Sequence, residues 1–214
     1  MSHTMTALSA ALPLMSGWSV HSLWMRRRIE AARRDPLTGL WTRDPFEERA
    51  RKSLAQKCQR AVLVLDLNRF KEINDTLGHA AGDAVIHATG QRLGRWAEEH
   101  AGVAGRLGGD EFAAIVPGYG IDKLRVDLFL LTGRLDRPVA YDGRRIEVRT
   151  SIGAAYFGTG TGDLSTLLRR ADEQMYKAKQ RGGGWRIAHR LTVPAMSTVN
   201  GRRDGRRGTR GEAA

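Results

Sequence analysis

Two short apolar runs joined by glycine and acid decide most of what this chain can become. Residues 102–107 and 111–117 are separated by Gly108-Gly109-Asp110. Glycines followed by an acid between apolar runs signal a hairpin, because its turn needs backbone angles that side chains resist. The tip carries Asp110 and Glu111, more acid than a turn needs in order to fold. A third run, residues 61–66 (AVLVLD), is rich in branched side chains and short for a helix. It reads as a buried strand ending on Asp66. In one sheet, a strand end and a neighbouring hairpin tip can lie side by side.

The remaining pattern supplies the helices. Residues 44–59 read as a helix, with Asp44 at the N-cap and Pro45 at the first helical position. Residues 69–76 form a short helical or loop segment that Gly78 breaks, and 83–99 and 121–135 are helices. Strand character returns at 139–141 and 144–156 around Asp142-Gly143. Residues 163–179 form a last helix, Gly182-Gly183-Gly184 stops it, and 185–188 add a final strand. Helices alternating with antiparallel strands define an α+β domain with one central, mainly antiparallel sheet flanked by helices.

A net charge of +12 invites a nucleic-acid reading. Its distribution argues against one. Arg26, Arg27, Arg28, Arg33 and Arg34 face only Glu30 ahead of Asp35, and beyond Gly201 five arginines face Asp204 and Glu212. The middle of the chain is therefore mildly basic, which suits an anionic small substrate. Nucleic acid is not the expected partner, and residues 190–214 read as a disordered Gly/Arg-rich tail. Cys58 is the only cysteine, so no intrachain disulfide forms and a reducing compartment is expected.

Residues 4–25 carry no Asp, Glu, Lys or Arg and run into Arg26 to Arg28. Their length matches a spanning helix, but Pro13, Gly17 and His21 interrupt it. Three readings stay open: a short signal-anchor, an amphipathic surface or dimerisation helix, and a frayed end. In the first, the arginines keep the following chain cytoplasmic. The expected location is the cytoplasm, free or tethered to the inner face of the cell membrane through residues 4–28. Positive charges follow the apolar run rather than precede it, unlike a cleaved secretory signal. Residues 1–34 thus form one segment and 35–189 the domain.

Asp66 and Asp110, on adjacent strand ends, can share a hard divalent cation, which magnesium sites complete with substrate phosphates. Gly108 and Gly109 would let a phosphate or base approach the backbone. Taken singly, Asn74 could cap a turn, Asp83 could cap the helix after it, and His79, Lys71 and Lys179 could be solvated.

The blocks together carry more. Residues 106–112 (RLGGDEF) resemble the signature of the GGDEF family, the diguanylate cyclases. Residues 35–43 (DPLTGLWTR) resemble its opening motif, with Thr42 where asparagine is more usual. Residues 66–78 (DLNRFKEINDTLG) with His79 and Asp83, and 171–179 (ADEQMYKAK), resemble two further blocks, all in the family's order. The resemblance implies a palm-like domain that condenses two GTP into cyclic di-GMP and two pyrophosphates. It implies Asp66, the Leu67 carbonyl and Asp110 as ligands of Mg2+, or of Mn2+ in its place. Asn74 and Asp83 would bond the guanine edge, with His79 beside them. Lys71 and Lys179 would contact phosphates, and Asp110 or Glu111 would take the 3′-hydroxyl proton. Each protomer would present one GTP, so turnover would require a homodimer. A non-catalytic GTP-binding module is the alternative.

Two departures from the family pattern stand out. The Arg-x-x-Asp product-inhibition site is replaced by Glu99-His100-Ala101-Gly102, so feedback through it is not expected. Gly183 occupies a position that is often arginine, and Arg181 or Arg186 are the residues that could substitute.

Overall fold

The computed structural model describes residues 24–25, 33–56, 58–158 and 163–188. Strand β1 (Arg60–Leu67) lies at the centre and is buried along its whole length. It pairs antiparallel with β3 (Glu111–Pro117) on one side and with β6 (Thr150–Phe157) on the other. Strand β2 (Val103–Gly108) closes the hairpin with β3, and β7 (Gly184–Ile187) runs parallel to β6 at the opposite edge. The order is β2-β3-β1-β6-β7. A separate two-stranded ribbon joins β4 (Val139–Tyr141) to β5 (Arg144–Ile146).

Strand side chains alternate between faces, so β1 feeds two cores. Ala61, Leu63, Leu65 and Leu67 pack with α3 (His79–Glu99) and α4 (Ile121–Leu135). Val62 and Val64 pack with α1 (Arg43–Leu54) and α5 (Leu164–Lys179). Burial on both faces explains why residues 61–65 are uniformly apolar. Asp66 continues the series of Val62 and Val64 and so belongs to the α5 face. Helix α2 (Phe70–Leu77) connects β1 to α3. The expected α+β class and flanked, mainly antiparallel sheet are both present.

Several boundaries differ from expectation. Helix α1 begins at Arg43 behind an extended Thr42, so Asp44 lies in its first turn rather than at the cap. It ends at Leu54 rather than near residue 59. No breaker stops it there; the chain turns to enter β1, where Ser53 and Gln56 accept hydrogen bonds from the buried Arg60 guanidinium. Helix α3 starts at His79, four residues before the expected Asp83. The run 144–156 divides into β5 and β6, because Asp136 accepts from both the amide (2.9 Å) and the hydroxyl (2.7 Å) of Thr150 and fixes the entry to β6. Helix α5 has Asp163 as its N-cap, accepting from the Thr166 amide at 3.0 Å. Cys58 is exposed.

Apart from Trp24 and Met25, the expectation for residues 4–28 falls outside the described residues, as does that for 190–214. Among the described residues no helix is long and apolar enough to cross a membrane.

Candidate active site

Antiparallel register places Asp66 directly opposite Glu111, on the same face of the sheet. Asp110 precedes Glu111 at the hairpin tip and is half-buried. The tip itself requires glycine: Gly108 has φ +148° and Gly109 φ +53°, and a Cβ at either position would meet only open space. The positive φ values, and not crowding, exclude side chains there. That open space leaves the backbone accessible in front of the acids.

Arg106 holds the tip in place. Its guanidinium donates to the Gly109 carbonyl (2.8 and 3.0 Å) and to both carboxylate oxygens of Asp35 (3.0 and 3.1 Å). Asp35 also accepts from the amide and hydroxyl of Thr38, which closes the turn at residues 35–39. Burial raises the Asp35 pKa, but the Thr38 and Arg106 hydrogen bonds outweigh it and hold the carboxyl below its usual range. This clamp joins Asp35 and Arg106, which in the sequence belong to two separate motifs. Each looks like an ordinary surface charge, and only the fold brings them together.

Asp66 is 7% exposed. Burial pushes its carboxyl above the ordinary carboxylate value, and the nearby charges of Asp110 and Asp172 reinforce the shift. The Lys179 ammonium opposes it with a hydrogen bond of 2.6 Å to Asp66 Oδ1. Lys179 sits at the last residue of α5, beside the end of β1, with its side chain 40% exposed. Glu111 faces the Arg43 guanidinium at 3.8 Å, and Arg43 also donates to the Leu107 carbonyl at 3.2 Å. After Asp66 the chain passes through Arg69, whose φ of +56° is uncommon for a side-chain-bearing residue, and starts α2 without a side-chain cap. Uncapped amides at a helix start favour negative charge.

The second predicted group also converges. Asn74 projects from α2 onto the first turn of α3, so close to Gly82 that a Cβ there would lie 1.9 Å from Asn74 Oδ1. Asp83 follows Gly82, and His79 lies one turn before it on the same side of the helix. Both are exposed. Because α3 begins at His79, Asp83 is inside the helix and has no capping role. Lys71 is exposed on α2, one turn from Asn74.

Backbone conformation and a close approach together suit glycine at position 183. Gly183 has φ +124°, and a Cβ there would lie 2.9 Å from Asn68 Nδ2 and 3.1 Å from the Thr150 carbonyl. Asn68 in turn accepts from Ser151 at 2.7 Å. Arg181 and Arg186 line a cavity along β7 whose walls include none of Asp66, Asp110 or Lys179.

Among the described residues no three acidic, histidine or cysteine side chains are grouped to hold a metal unaided. The donors present still fit a hard cation shared with a substrate: two carboxylates and a strand-end carbonyl, one carboxylate already bearing a cationic partner.

A buried central acid and a glycine-tipped acidic hairpin thus meet at one end of a mainly antiparallel α+β sheet. The chain belongs to the family described as "Diguanylate cyclase, GGDEF domain", which it matches over residues 32–184. It is 44% identical over 171 residues to an uncharacterized 19.3 kDa protein of Streptomyces ambofaciens, covering 79% of this chain and 90% of that protein. It is 36% identical over 172 residues to the diguanylate cyclase TpbB of Pseudomonas aeruginosa, covering 77% of this chain but 39% of that one. The coiled coil and GGDEF domain of DgcB from Caulobacter crescentus, solved in complex with c-di-GMP, superposes with a TM-score of 0.71 at 26% identity. That match covers 81% of this chain and 97% of that structure.

Proposed function

We propose that the protein is an active diguanylate cyclase, joining two GTP into cyclic di-GMP with release of two pyrophosphates. The observation that carries this reading is the register of β1 with β3. It sets the buried Asp66 across from Glu111 and beside Asp110, with Lys179 reaching the same carboxylate. Asp66, Asp110 and the Leu67 carbonyl would hold Mg2+, which when bound offsets the negative charge of the phosphates.

The chain's own residues do the rest. Lys179 transfers its ammonium from Asp66 to a phosphate when nucleotide arrives, and Lys71 adds a second cation from α2. Asp83 accepts from the guanine N1–H and N2–H₂ donors, and the Asn74 amide donates to O6. His79 flanks them. Adenine presents the opposite pattern and leaves these groups unpaired, so ATP is rejected. Asp110 or Glu111 accepts the proton of the attacking 3′-hydroxyl. Each protomer aligns one GTP, and a homodimer brings the two face to face.

Feedback through an Arg-x-x-Asp site is absent from this reading. Glu99 is engaged with Arg134 (2.8 Å), and a side chain at Gly102 would meet the Ile115 carbonyl at 2.5 Å. The test is turnover of GTP with Mg2+ by the purified dimer. Cyclic di-GMP should form, Asp110→Ala should abolish it, and micromolar product should not inhibit. GTP binding without product from a dimeric preparation would instead select the non-catalytic module.

A further inference from the structure

We propose that the open edge of β7 carries a second ligand site, for a small organic anion bearing an aromatic ring. The site is a cavity of about 820 Å³ bounded by the start of α4, the end of α5 and β7. That volume lies in the range of small-molecule pockets.

Its charge is one-sided. Among the described residues, Arg125, Lys177, Arg181 and Arg186 line it, and no Asp or Glu does. Arg125 has an exposed partner in Asp122 at 3.2 Å, whereas Lys177, Arg181 and Arg186 form no ion pair among the described residues. Elsewhere the helices pair their charges: Arg51 with Glu47, Lys52 with Glu48, Arg169 with Glu173. Like charges crowded around a concave wall repel one another and concentrate a positive field, which a bound anion relieves.

The remaining wall is suited to a ring. Trp185 and Tyr156 contribute aromatic surface, and Ile121, Ala178, Ile187 and Ala188 apolar surface. The Tyr156 hydroxyl bonds Gln59 and accepts from the Gly120 amide at 3.2 Å, which fixes that ring in position. Aromatic faces beside guanidinium groups suit a planar anion. The chain beyond Ala188 is a poor occupant, because Arg190, Arg202, Arg203, Arg206, Arg207 and Arg210 outweigh Asp204 and Glu212.

The site is separate from the GTP centre but adjoins it. Ala178 in its wall precedes Lys179, and Gly183 in its wall abuts Asn68. An occupant therefore rests against the turn that follows Lys179.

The test titrates the full chain with 8-anilinonaphthalene-1-sulfonate and with N-phenyl-1-naphthylamine, which has the same rings and no charge. Neither titration needs GTP, so its result is independent of the cyclase reading. The sulfonate should bind tighter than the neutral dye, and Arg125→Glu/Lys177→Glu should weaken it by about tenfold while leaving the neutral dye within about twofold. Phe129→Ser/Leu130→Ser, on the exposed apolar side of α4, should change neither. If the double reversal fails to fold by circular dichroism, Lys177→Gln should weaken the sulfonate by roughly threefold. Equal affinity for the two dyes, indifference of the sulfonate to loss of the cations, or loss of binding in the Phe129/Leu130 variant overturns the proposal.

Discussion

Replacing Lys179 with methionine separates the two tasks of its ammonium. Lys179 bonds Asp66 at 2.6 Å, with the acid 9% and the lysine 40% exposed at their side chains. Removing one partner of a fully buried pair costs roughly 3–5 kcal/mol, and exposed pairs are worth about 0–1. The half-exposed lysine places the loss at about 1–2 kcal/mol at neutral pH, or roughly 2–8 °C in Tm for a chain of this size. The loss depends on pH with a definite sign. Burial already holds Asp66 above its usual value, so between its unfolded and folded pKa the native state binds more proton than the unfolded chain. Stability contributed by this group falls as pH rises through that window and then levels off. Without Lys179 the folded pKa rises further. The Lys179→Met deficit should thus be full above the variant's folded pKa and fade as the solution is acidified through it. Urea unfolding of both proteins across that range measures this directly. Metal binding should move oppositely: with no ammonium to displace, nucleotide-free Mg2+ affinity should rise by about tenfold while GTP turnover falls. A deficit independent of pH, or unchanged metal affinity, would refute the assignment of Lys179 as the cation on Asp66.

Three further substitutions test other parts of the structure. Gly82→Ala should displace the Asn74 amide, whose oxygen lies 1.9 Å from the new Cβ, and raise KM for GTP, while the helix-propensity gain of up to about 1 kcal/mol is offset by crowding against Phe70 (3.1 Å), leaving stability near wild type; kinetics beside a thermal melt will show it. Arg106→Met removes bonds to Asp35 and Gly109 and should cost roughly 2–4 kcal/mol at pH 7. Because the Asp35 pKa is lowered in the folded state, that deficit should shrink as pH falls through its folded value, as read by urea unfolding. Gly183→Arg restores a common family residue but forces a side chain onto φ +124° beside Asn68 and the Thr150 carbonyl, so it should destabilise by about 1–3 kcal/mol, measured by thermal melting.

What could be read from the sequence follows from the range of the forces involved. Residues 61–65 are apolar on both faces because β1 is buried on both, so that strand announced itself. The glycines of the hairpin did so because only they tolerate the φ values at Gly108 and Gly109. The start of α3 is not legible because nothing local marks it: Gly78 precedes it with no capping side chain, and Asp83 offers a false cap one turn inside. The division of 144–156 depends on Asp136, fourteen residues before Thr150. Local pattern cannot report a bond that only the folded chain makes.

The same limit explains the uneven legibility of the site. Its carboxylates sit on strand ends, where a run of apolar residues points to them. Its cations come from far along the chain: Lys179 reaches Asp66 across 113 positions, and Arg106 reaches Asp35 across 71. Gly183 is the instructive case. Compared with a family pattern it is a missing arginine, a loss of phosphate-binding charge. In the fold it is a position of φ +124°, which side chains resist, set close against Asn68 and the Thr150 carbonyl at the entry to β6. The turn after α5 takes a backbone conformation that favours glycine, and the charge that a side chain at 183 would supply has to come from elsewhere. Lys179 is the cation already paired with Asp66, and the proposed reading assigns that charge to it.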